Sequence, residues 1–268
     1  MPSSAALRQQ IESDFQHRYP SVLTPAARSV CEVAATGIGP IDELLDGGLP
    51  IGAISEITGP ACSGRTTITL AFLARRTQEG SACSLIDAND TFDPESAAAN
   101  GVSLKHLLWV RCRNALFDKP SPAVQFTASG NKQFKEKPWT RLDHAVRATD
   151  LLLQAGGFAA IVLDLADEAI EHGRRIPLAT WFRFRQAAER TRCSLIVLGK
   201  AAYAQSSAAV VLECQPDHID VAAGAVIRNF NYSTWRSRMR FSPLANITRK
   251  QPASTWTTPA TGNSDKRA

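Results

Sequence analysis

Residues 53–76 read AISEITGPACSGRTTITLAFLARR. A short strand-like run, a glycine-punctuated loop and a helical run follow one another without a gap. A loop between a strand and a helix converges backbone N–H groups on an anion, with the positive end of the helix behind them. The loop is one residue from the phosphate-binding pattern G-x-x-x-x-G-K-[ST]. Gly59, Gly64 and Thr66 are in register, and Arg65 holds the lysine position. About 100 residues later, AAIVLDL places Asp164 at the mouth of an apolar strand, where a carboxylate can hold Mg²⁺ together with the loop hydroxyl of Thr66.

The rest of the chain continues this order. Ala53–Thr58, Ala82–Asp87, Leu107–Val110, Ala159–Leu163 and Ser194–Leu198 read as strands. Helices are expected over 67–76, 94–100, 141–155 and 178–191, with a shorter one around Ile41, Leu44 and Leu45 that Gly47 and Gly48 stop. Strands alternating with helices predict an α/β fold with a mainly parallel central sheet and helices on both faces. The end is β-rich, with strands expected at Ala209–Glu213, Ala223–Asn229 and Trp235–Phe241. Residues 1–35 read as an N-terminal helix, with Leu7, Ile11 and Phe15 on one face, and a connector. Residues 36–245 form the core, with an exposed loop at 113–140, and the Thr/Ser/Pro-rich residues 246–268 read as a disordered tail.

Charge and cysteine content narrow the functional classes. The chain of 268 residues has a formal net charge of +5. Much of that excess is in the tail, where Arg249, Lys250, Lys266 and Arg267 face only Asp265. This is not the charge of a dedicated non-specific nucleic-acid binder, so a basic footprint has to be local. In RNFNYSTWRSRMRF (228–241), Arg236, Arg238 and Arg240 alternate. A regular strand would put them on one face as a cationic stripe for phosphates or an acidic partner, with Arg228 nearby. The aromatic side of WFRFRQAAERTR (181–192), with Trp181, Phe184, Ala188 and Thr191, reads as core first and as a partner-facing patch second. The six cysteines form no C-x-x-C pair, and Cys83, Cys193 and Cys214 sit in apolar runs. Neither zinc, haem nor a disulfide framework is expected, and a cytoplasmic setting fits, with no signal core or membrane span in the sequence.

TGIGPIDELLDGGLPIGAISEITGPACSGRTTITLAFLA (36–74), followed by SLIDANDTFDP (84–94), resembles the core of the bacterial RecA recombinase family. The likeness is strong through residue 110 and faint from there to Phe241. It implies a RecA-like P-loop core that binds ATP and Mg²⁺ through Gly59, Ser63, Gly64, Arg65, Thr66 and Thr67, with Thr66 and Asp164 on the metal. Four departures accompany it. Arg65 replaces the compact cation of the loop with a longer planar fork. Asn89 occupies the position of the glutamate that orients water, leaving Asp90 as a poor substitute and no confident catalytic residue. One of two cross-protomer lysines becomes Arg228 and the other Phe230. The mobile DNA-binding loop shrinks to the few residues after LIVLGK.

Together these departures fit a retired recombinase with weak or absent hydrolysis. Among RecA relatives, the chain looks most like the ImuA family, accessory proteins of mutagenic translesion synthesis in the DNA-damage response. That resemblance implies an ImuB-like Y-family polymerase relative, an error-prone polymerase, RecA and DNA as partners. A weak DNA-stimulated ATPase and a SulA-like cell-division inhibitor are the alternatives.

Overall fold

The computed structural model describes residues 30–112, 141–222, 226–240, 242–243 and 253–259. The N-terminal helix expected at 4–15 and the loop at 113–140 lie outside these residues. The expected strands and helices of the core are present, with ends within about two residues of the sequence reading. The strands are β1 (Val30–Cys31), β2 (Val33–Ala34), β3 (Leu49–Pro50), β4 (Ile54–Thr58), β5 (Cys83–Asp87), β6 (Leu107–Arg111), β7 (Ala160–Asp164) and β8 (Ser194–Gly199). They are followed by β9 (Ala208–Ala222), β10 (Val226–Met239), β11 (Ser242–Pro243) and β12 (Ala253–Pro259). The helices are α1 (Gly39–Leu44), α2 (Arg65–Gln78), α3 (Pro94–Ala99), α4 (Arg141–Ala155), α5 (Ile170–Gly173) and α6 (Leu178–Thr191).

One sheet has the order β12-β10-β9-β4-β8-β7-β5-β6. From β9 to β6 all pairings are parallel, whereas β10 and β12 add antiparallel at one edge. Every residue of β4, β5 and β8 is buried, as expected of parallel strands covered on both faces. Alternate residues feed two cores. Ile57, Leu85, Val162 and Ile196 pack with Ile68, Phe72 and Leu73 of α2 on one side. Ile54, Ile86, Ile161 and Leu195 pack with Leu153 of α4 and Trp181 and Phe184 of α6 on the other. The core reading of the 181–192 aromatics therefore holds for Trp181, Phe184 and Ala188, while Phe182 remains exposed. The cysteines in apolar runs are buried hydrophobes, and burial pushes the thiols of Cys83 and Cys214 up to about 11 and that of Cys193 to about 12.

Two expectations at the β-rich end need correction. The two strands expected at Ala223–Asn229 and Trp235–Phe241 are one long strand, β10, which forms a hairpin with a β9 that runs on to Ala222. The tail is also not disordered throughout, since residues 253–259 form β12, paired residue by residue with Asn229–Trp235 of β10. The Thr/Ser/Pro composition suggested solvent. However, Thr and Trp are strong strand formers once an edge is available to pair with them.

Candidate functional site: the loop after β4

The site lies beyond the C-terminal ends of β4, β8 and β7, where parallel sheets place ligands. β4 delivers the chain into residues 59–64, and α2 starts at Arg65 with Gly64 as its N-cap, at φ 85° and with no capping side chain. The first N–H groups of a helix have no intrahelical partner, so this end can receive an anion. Ser63 is buried, and its Oγ has no hydrogen-bond partner. Thr66 is exposed. The loop is held tightly: a Cβ added at Gly59 would stand 2.2 Å from the Cys214 carbonyl oxygen and 2.8 Å from Ser63 Oγ.

Arg65 does not project into the loop's mouth. It is only 6% exposed, and its Nη1 donates to the Gly199 carbonyl at the end of β8, at 2.7 Å. The same carbonyl accepts the Gly59 N–H at 3.2 Å. The cation of the loop thus ties α2 to the neighbouring strand. Asp164, at the end of β7, accepts the Ala166 N–H at 2.8 Å. Burial pushes its carboxyl up to about 6. The Ala166 N–H opposes this, Asp87 and Asp167 add to it, and the Arg65 charge offsets part of it.

The residues around the expected water-orienting position are committed elsewhere. Asp87 accepts N–H groups from Asn89, Thr91 and Phe92 and the indole N–H of Trp109, so it shapes the turn. Asn89 is half-buried within that turn. Asp90 sits at φ 61° and pairs in a bidentate manner with Arg111, at 2.6 and 3.0 Å, and Arg111 in turn stacks on Trp109 at 4.4 Å. As a stand-in base, Asp90 is therefore already occupied by an arginine.

The arginine stripe is corrected. Between Arg236, opposite Leu212, and Arg238, opposite Val211, β10 carries a bulge, which breaks the two-residue period. Arg236 turns to α1, donating to the Leu44 carbonyl at 2.8 Å and to Asp46 at 3.1 Å. Arg238 and Arg240 reach the carbonyls of Gln205 and Ser206. These three guanidiniums brace loops and do not form a shared phosphate track. Arg228 is exposed at a separate bulge of the hairpin, between Ile227 and Asn229, apart from them.

Sequence reasoning missed two parts of the site. Glu56 on β4 is fully buried, and its Oε1 accepts the backbone N–H groups of Tyr203 and Ala204 at 2.5 and 2.9 Å. This pins the short segment after β8. A lone acidic residue inside the apolar strand AISEIT was the available signal. The second part is Trp256 of β12. A Cβ on Gly64 would lie 2.7 and 2.8 Å from two carbons of the Trp256 ring and 3.1 Å from the Tyr232 ring. The aromatic ring therefore occupies the space that a glycine at this position leaves free. No local signal could have indicated this.

As arranged, the residues do not fit a magnesium-bound triphosphate. The helix end and the Ser63 hydroxyl suit an anion, but the loop cation is turned to Gly199 and Trp256 covers Gly64.

Comparison with known proteins agrees with this architecture. Residues 4–115 match the RecA N-terminal domain family. The chain is 39% identical over 99 residues to protein RecA of Crocosphaera subtropica, covering 37% of this chain and 28% of that protein. It is 37% identical over 99 residues to protein RecA of Prochlorococcus marinus (strain AS9601), covering 37% of this chain and 27% of that protein. The similarity thus spans less than a third of the length of these curated relatives. Among solved structures, the crystal structure of the RadB recombinase superposes with a TM-score of 0.51 at 16% identity, over 85% of this chain and 96% of that chain. The chain has a RecA-like α/β fold, with a segment similar to the RecA N-terminal domain over residues 4–115.

Proposed function

We propose that this protein acts by contact and not by turnover, as a RecA-like accessory protein of DNA damage tolerance. It supports mutagenic translesion synthesis in the manner of the ImuA family. The observation that carries this reading is the commitment of Arg65 to the Gly199 carbonyl, which removes from the loop mouth the charge that phosphoryl transfer relies on. Asn89 in the water-orienting position and Asp90 locked to Arg111 support it independently. The rigid sheet then serves as a platform for an ImuB-like Y-family polymerase relative and an error-prone polymerase, with RecA or DNA as further contacts.

Co-purification of the full chain with the ImuB-like protein tests the partnership. A complex is expected, and its absence at micromolar concentrations sinks this assignment. Phosphate release, measured with and without single-stranded DNA, is expected to stay at background. The competing reading of a weak DNA-stimulated ATPase is favoured by one observation, the unpartnered Ser63 hydroxyl at the helix end. It wins if release rises with DNA and falls in Asp164→Ala.

A further inference from the structure

We propose that β12 is a strap that holds the loop after β4 shut. Trp256 stands where a nucleoside triphosphate would pass Gly64, so nucleotide and strap exclude one another. The proposal does not depend on the polymerase-partner reading.

A glycine just before the helix allows a ligand to approach the backbone closely. Here the closest atoms in the direction of the missing side chain belong to Trp256 and Tyr232, not to solvent. The two rings stack with centroids 4.5 Å apart. Trp256 is 4% exposed, and its indole N–H donates to Thr234 Oγ1 at 2.9 Å, so the ring is fixed in place. The strand that carries it is equally fixed. It pairs with β10 from Ala253 to Pro259, and Thr257 Oγ1 donates to Asn231 Oδ1 at 2.6 Å.

The strap nonetheless lies at an edge. β12 is the end strand of the sheet and pairs only with β10 among the described residues. Its departure breaks one antiparallel ladder, the packing of β12 on α1 and the seat of Trp256 in the core beside α2, and leaves the parallel strands and the β9–β10 hairpin paired. Release of the strap would remove the Trp256 ring from the face of Gly64 and leave Tyr232 of β10 beside it, while the helix end and Ser63 remain in position. The ligand class follows from that geometry: an anion with a flat or extended appendage that needs the space of the Trp256 ring, a nucleoside triphosphate with Mg²⁺ being the test case.

Hydrogen exchange of the full wild-type chain, with and without millimolar Mg·ATP, gives the first readout. Bound nucleotide is expected to slow exchange across 59–67 and to speed it across 253–259. The second readout is the affinity for a fluorescent ATP analogue in wild type, Trp256→Ala and Trp256→Leu. The leucine variant keeps apolar volume on the strand in case the alanine variant does not fold. Affinity at least tenfold higher in either folded variant is expected. Three results overturn the proposal: variant affinities within twofold of wild type, nucleotide bound with the protection of 253–259 unchanged, or no binding in any of the three chains. A failed co-purification leaves these readouts untouched, so the two failures are distinguishable.

Discussion

At the scale of single residues, side chains that the sequence pattern assigns to binding are engaged in structural contacts. Arg65 is the clearest case. Removing its guanidinium leaves a buried gap and takes a charge-assisted bond from Gly199, so Arg65→Ala should cost about 1–3 kcal/mol of stability, measured by urea unfolding. A cation needed only for ligand binding would leave the unfolding midpoint in place. Glu56 makes a pH prediction. Burial raises its carboxyl above the ordinary value of 4.5, against the opposing N–H groups of Ala204 and Tyr203. The folded chain therefore binds more protons than the unfolded one in that range, and stability from this group falls as pH rises from about 4.5 through the raised value. Glu56→Gln keeps an acceptor for Tyr203 and Ala204 and removes the titration. The variant should gain on wild type as pH rises through this window, in unfolding curves at matched salt. A constant difference across pH would refute the assignment. The residue letters put Arg65 in the lysine position of the loop pattern, but did not show that it bonds to Gly199 or that Asp90 pairs with Arg111.

At the scale of elements, the strands and helices were legible because their periods are local. The β4 and β8 runs announce themselves by apolar content and α6 by its spaced aromatics. The C-terminal elements were not legible for equally physical reasons. A bulge inserts one residue without a composition signal, and that single residue turned an apparent arginine stripe into braces on different loops. Arg236 and Arg228 separate the two readings. Arg236→Ala loses the Leu44 carbonyl and a half-buried pair with Asp46 and should cost about 1–3 kcal/mol. Arg228→Ala, on the exposed hairpin, should stay within about 0.5 kcal/mol. Equal costs, read from unfolding midpoints, would contradict the bracing role.

At the scale of the whole molecule, one sheet gathers residues from Ile54 to Pro259, so the late strands share the cooperativity of the early ones. Thermal unfolding followed by far-UV circular dichroism and by tryptophan fluorescence should give coincident transitions. An earlier fluorescence transition would mark β12 and Trp256 as a separately melting unit. By itself the sequence determined the α/β class, the order of the elements and the anion-ready turn between β4 and α2, because hydrophobic period and loop chemistry are written in neighbouring residues. Only the tertiary structure decided whether that turn is open. The ring that covers Gly64 comes from the far end of the chain, and the carbonyl that holds Arg65 comes from another strand. Packing between distant segments leaves no period in the sequence, so a loop and the side chain that closes it are brought together by the sheet alone.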